Sequence, residues 1–336
     1  MNKKLLLTSA LCGSAMLSGV ALAETKITGN MTLTYMANSE AATANSNNGF
    51  GRETQINIAN SGDLNNGLGY KAGFSLEFDG ASEGSSTSNE NVYIDIVSGD
   101  TTVSFGIDHL PNASQSAAPR VAEQASTALT QLSTTSEIYK YHPGGGIKES
   151  FGIGLIQKNV AGGYLAASYV PKVGDAGGND ASIDTSAENS AYNITYKGNA
   201  GVEGLTVLGL YQKEEATTTA KQDIKVLQYG ASYNFGQFAA GIHVNDTDES
   251  TVNTDTKSIE FGVTAALSDN FSAGVTYIET DRNTAGLVDE EITMAAIGYN
   301  LGPVMVTASY TQLENAAGNA STADVETFNL RVGTKF

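Results

Sequence analysis

Along most of this chain, apolar and polar side chains alternate with a period of two. In "LGYKAGFSLEF" (68–78), Leu68, Tyr70, Ala72, Phe74, Leu76 and Phe78 fall on one parity, and Gly69, Lys71, Gly73, Ser75 and Glu77 on the other. In "TTVSFGID" (101–108), Val103, Phe105 and Ile107 oppose Thr102, Ser104 and Asp108. The stretch "ADVETFNLRVGTKF" (323–336) sets Phe328, Leu330, Val332 and Phe336 against Thr327, Asn329, Arg331 and Lys335, with Thr334 the polar intruder on the oily parity. A strand turns successive side chains to opposite faces, so each segment predicts a strand with one oily and one wet side. Such segments recur near 26–37, 52–60, 67–79, 89–98, 101–109, 149–158, 162–172, 188–198, 203–214, 223–235, 237–246, 257–268, 271–281, 289–301, 303–313 and 325–336. That is about sixteen strands, and the fold class is all-β.

The connections alternate in length. Short ones such as "SGD" (98–100), "NFGQ" (234–237) and "NLGP" (300–303) are followed by long ones rich in Asn, Asp, Ser, Thr and Gly, such as 38–51, 174–187 and 315–324. An even strand count then puts all short turns on one side and all long loops on the other. That asymmetry belongs to transmembrane antiparallel β-barrels of outer membranes. A soluble sandwich would show the same period of two. The aromatic residues separate the two folds. Tyr35, Phe78, Tyr169, Tyr211, Tyr277, Tyr310 and Phe328 lie on oily parity near the long-loop ends, and Tyr70, Tyr196, Phe235, Phe238, Phe271, Tyr299 and Phe336 near the short-turn ends. Two aromatic bands suit two lipid interfaces, and a sandwich has no use for them. Closing the last strand on the first (26–37) removes the unpaired edges that lipid penalises.

Composition supplies the compartment. Lys3 and Lys4 precede an apolar, small-residue run from Leu5 to about Val20, and Ala21-Leu22-Ala23 forms a cleavage site before Glu24. This reads as a secretory signal peptide over 1–23, leaving a single barrel domain over 24–336. A spanning helix fits less well, because Ser, Gly and Thr interrupt the run. Cys12 is the only cysteine, and the bulky Leu11 beside it fits a lipoprotein signal poorly. The mature chain therefore has no disulfide, no cysteine zinc site and no thiol chemistry. Loss of the two leader lysines takes the formal charge from −18 to −20, which argues against nucleic acid as a partner.

Taken together, the signal peptide, the alternating strands, the short turns opposite long loops and the closing "FNLRVGTKF" resemble the general diffusion porins of Gram-negative outer membranes, and more closely the alphaproteobacterial type. The resemblance covers the whole mature chain and rests on pattern, without a sharp motif. It implies a trimeric, water-filled channel for ions and small hydrophilic solutes, set in outer-membrane lipid and lipopolysaccharide. It also implies that Phe328, Leu330, Val332 and Phe336 carry the signal read by the outer-membrane assembly machinery. The longest connection, about 110–148, follows the fifth strand, and in the family the loop in that slot folds inward to narrow the pore. Within it "RVAEQASTALTQL" (120–132) has helical composition, and a loop of this length without a role is uncommon.

A diffusion pore needs water, a set diameter and a transverse field. Inward parity is expected to supply Lys71, Arg331 and Arg52 as cations, and Glu77, Asp95, Asp108 and Glu260 as anions. Glu123 and Glu137 sit on the constriction loop with Arg120, Lys140 and His142. The family's device is acidic loop groups facing a basic wall. Only four arginines (52, 120, 282 and 331) are present, a thin basic wall that implies weak cation preference. No enzyme activity and no cofactor is expected. The three histidines, at 109, 142 and 243, lack metal spacing, and "GGG" at 144–146 lacks the lysine and helix of a phosphate loop. Acidic tips at 245–250 and 253–257 are calcium candidates without the spacing of a calcium loop. The alternative is a substrate-specific barrel for sugar, peptide or phosphate. Tyr93 and Tyr164 are too few inward aromatics for a sugar track, and the acidity disfavours phosphate. A third class is a non-conducting structural or adhesive barrel.

Overall fold

The computed structural model describes residues 23–40, 48–78, 87–107, 109–110, 116–121, 150–173, 189–215, 223–250, 255–283, 286–318 and 324–336. The alternating segments form strands. The first eight are β1 (Glu24–Glu40), β2 (Asn48–Asp63), β3 (Gly69–Phe78), β4 (Thr87–Ser98), β5 (Thr101–Gly106), β6 (Gly152–Val160), β7 (Gly163–Val170) and β8 (Ser190–Gly198). The next eight are β9 (Leu205–Glu215), β10 (Ile224–Phe235), β11 (Phe238–Glu249), β12 (Thr256–Ala266), β13 (Phe271–Arg282), β14 (Glu290–Asn300), β15 (Val304–Glu314) and β16 (Val325–Lys335). Each strand pairs antiparallel with its sequence neighbours, and β16 returns to β1 to close the barrel. Among the described residues no helix is long and apolar enough to cross a membrane. The crossing is made by strands, whose backbone groups are all paired once the sheet is closed.

Register fixes which side each residue takes, because partners directly across a ladder share a face. Outward positions are the oily ones. Phe74, Ile94, Phe105, Ile153, Tyr169, Ile194, Leu227, Phe261, Val275 and Ile297 are all exposed on the outside of the chain. Outward ring pairs recur at the two strand ends: Tyr35 with Phe50 (centroids 5.0 Å apart), and Phe235 with Phe238 (5.8 Å). Seven connections of two to six residues lie at one end of the barrel. Gly302, at φ 88°, turns the one between β14 and β15, and its N–H donates to Asn300 Oδ1 at 2.8 Å.

The closing seam is made by the expected residues. Phe328, Leu330 and Val332 face outward, paired with Ala37, Tyr35 and Leu33 of β1. Phe336 exchanges two backbone hydrogen bonds with Gly29, of 2.8 and 2.9 Å. Its ring lies over Gly29, where a Cβ would stand 2.5 Å from Cζ. The missing side chain at 29 is therefore what lets the ring lie flat on the seam.

β1 and β2 are longer than their hydrophobic pattern indicates, and their register overturns one expectation. Arg52 pairs with Leu33, so it faces outward and is not a lumen cation. The lumen position is taken by its neighbour Glu53, opposite Thr32.

Candidate functional site

The lumen wall is built from the second parity of every strand. Lys71 lies across from Asp95, and Glu77 across from Gln55. Asp95 accepts hydrogen bonds from Ser104 Oγ at 2.5 Å and lies 3.2 Å from His109 Nε2. The His109 ring stacks on Tyr93, with centroids 3.7 Å apart and planes 13° from parallel. Asp95 thus anchors the first residues of the long connection to β4. The carboxylate stands between the serine and the histidine. Among the described residues no group of three His, Cys, Asp or Glu side chains could hold a metal ion.

On the far side of the seam, Arg331 faces the lumen from β16. Its Nη2 donates to Thr32 Oγ1 at 3.3 Å and lies 3.6 Å from Glu53 Oε2. Near the long-loop ends of β13 and β14, Arg282 and Glu290 form a buried pair at 3.3 Å. They stand beside a lumen-facing apolar cluster of Ile278, Ile292, Met294 and Leu313.

Within the long connection after β5, Leu110 and residues 116–121 are described and lie against the inner wall. Leu110 packs on Val170 and Ala191 of β7 and β8. Ala117 packs on Leu208 and Leu210 of β9. Its N–H donates to His243 Nδ1 of β11 at 3.4 Å, which places that ring's proton on Nε2. Arg120 reaches the wall by a two-toothed pair, Nε to Glu260 Oε1 at 2.5 Å and Nη2 to Oε2 at 2.6 Å. Paired N–H donors in this fork match carboxylate geometry better than any lysine contact.

Wall glycines make room for this strap. A Cβ at Gly230 would lie 2.8 Å from Ala117 Cβ, and one at Gly274 2.7 Å from Val121 Cγ2. At Gly262 it would overlap the Pro119 carbonyl oxygen. These glycines lie on β10, β12 and β13. Three strand spacings from β10 to β13 make about 14 Å. Four extended residues span that distance, about 14 Å, whereas four helical ones advance only about 6 Å. Residues 117–121 accordingly cross the strands without forming a helix, bending at 117, 118 and 121.

Of the residues expected to line the pore, Lys71, Asp95, Arg120, Glu260 and Arg331 face the lumen or its strap, and Arg52 does not. Asp108, Glu123 and Glu137 lie outside the described residues, as do Lys140 and His142. The structure joins Arg120 to Glu260, and Asp95 to His109. Sequence reasoning did not foresee either partnership. It also missed Glu53, although the outward parity of Ile56 and Ile58 already assigns 53 to the wet face.

The Gram-negative porin family model matches residues 8–318. The chain belongs to the Gram-negative porin family. Solved structures of the same fold include an anion-selective porin from Comamonas acidovorans, at 14% identity and a TM-score of 0.69, with 94% of this chain and 100% of that chain covered. A multiple mutant of the Rhodopseudomonas blastica porin is similar at 15% identity and a TM-score of 0.64, covering 93% and 100%. At these identities the likeness is one of fold. A comparison with curated proteins finds no match. Family and barrel together make this porin an outer-membrane channel for small solutes.

Proposed function

We propose that the mature porin, freed of residues 1–23, is a general diffusion channel with weak cation preference, working as a trimer. Passage is passive and sorted by size and charge, with no solute bound specifically. The observation that carries this reading is the lumen itself: a polar wall with charges of both signs, narrowed by a strap pinned through Arg120 and Glu260. Opposed charges across such a passage orient water and polar solutes and slow apolar ones. A mature charge of −20 raises cation concentration near the mouths, which favours cations modestly. The trimer and the assembly role of the β16 residues rest on the family likeness. Reversal potential across a bilayer with a salt gradient tests the preference. The expected sign is that of a cation-preferring pore, and a potential of the opposite sign contradicts it.

A further inference from the structure

The strap divides the lumen unequally. Between Ala117 and Val121 it covers wall positions on β9 to β14. Lumen-facing side chains beneath and beside it are buried, including Gln228, Thr276 and Glu260. The wall of β1 to β3 is different. There Gln55, Asn57 and Ser61 are partly exposed and Lys71 exposed, while Thr32 and Ser75 are buried. Carboxylates on the two walls differ correspondingly: the Glu53 side chain is 47% exposed, and that of Glu260 6%.

This asymmetry has an electrostatic consequence. Arg120 and Glu260 satisfy each other at 2.5 and 2.6 Å, so their fields largely cancel for a passing ion. Lys71 stands across from Asp95, which tempers its charge. Glu53 has Arg331 at 3.6 Å, a longer contact, and its side chain stays half-exposed.

We propose that the open passage runs along the β1–β3 wall and that Glu53 is a specificity-determining residue there, reading the charge of permeating ions. This rests on the channel reading and deepens it. It puts a carboxylate on the first hairpin, on a wall that the family likeness expects to be basic. The occupant is a hydrated small cation in transit, attracted by a carboxylate that stays half-exposed beside Arg331.

Two measurements on the refolded mature chain, residues 24–336, test it, the first independent of conduction. The processed protein has no cysteine of its own, so Glu53→Cys and Thr276→Cys each carry a single thiol. A water-soluble charged thiol reagent should label position 53 rapidly and leave position 276, 4% exposed, protected. Equal labelling of the two overturns the placement of the passage. In bilayers, Glu53→Gln should shift the reversal potential towards anions and Glu53→Lys further, with Glu260→Gln moving it less than Glu53→Gln. An equal or larger shift from Glu260→Gln overturns the assignment of Glu53. Correct labelling in a folded barrel that never conducts removes the channel reading, and the selectivity role with it, while the open wall stands.

Discussion

Arg120 and Glu260 show how a charged pair can serve as a clasp. Removing one partner of a largely buried ion pair leaves the other uncompensated, at a cost of about 3–5 kcal/mol. Arg120→Ala should therefore free the strap locally while the barrel, held by its ladders, stays folded. Single-channel records should become noisier. The exchanged pair Arg120→Glu with Glu260→Arg should restore quiet records, since the same ions meet with reversed sense. A double exchange as noisy as either single change would show that the pair does not hold the strap. Gly262 belongs to the same device, because the Pro119 carbonyl occupies the space a side chain would need. Arg52 and Glu53 mark the limit of reading residues singly. A charge near a strand end looks like a lumen group until the parity of the whole strand is followed from Ile56 and Ile58.

Strands were the most legible level. Alternation fixes the side of each residue, and both aromatic bands appear on outward positions because period and register agree. Less legible was strand length. β1 begins at Glu24 and reaches Glu40, and β2 begins at Asn48, beyond the oily alternation. Polar residues there stay in strand because ladder hydrogen bonds continue past the apolar band, which propensity alone does not report. Least legible was the seat of the strap. A glycine in a strand signals close backbone approach, but nothing in the sequence says which segment approaches. The seam between β16 and β1 gives a sharper prediction. Gly29→Val should push the Phe336 ring off the seam, and overpacking of this kind costs about 1–3 kcal/mol. The folded fraction, read from the β-sheet signal in circular dichroism, should drop for Gly29→Val. It should hold for Gly333→Ala, where the nearest atom to a new Cβ is 3.4 Å away. Equal folded fractions for both would remove the packing role given to Gly29.

At the scale of the whole molecule, closure of the sheet and the sorting of oily and wet faces are one fact seen twice. Each strand needs lipid on one side and water on the other, and only a closed ring gives every strand both without leaving a polar backbone edge in hydrocarbon. The central claim is that the wet side encloses a continuous aqueous passage, narrowed but not blocked by the strap. Conductance of the purified, folded porin in a planar bilayer tests this most directly. The account predicts discrete upward steps on insertion, in groups of three for a trimer. Folded protein that inserts into the bilayer and leaves the current flat would contradict it.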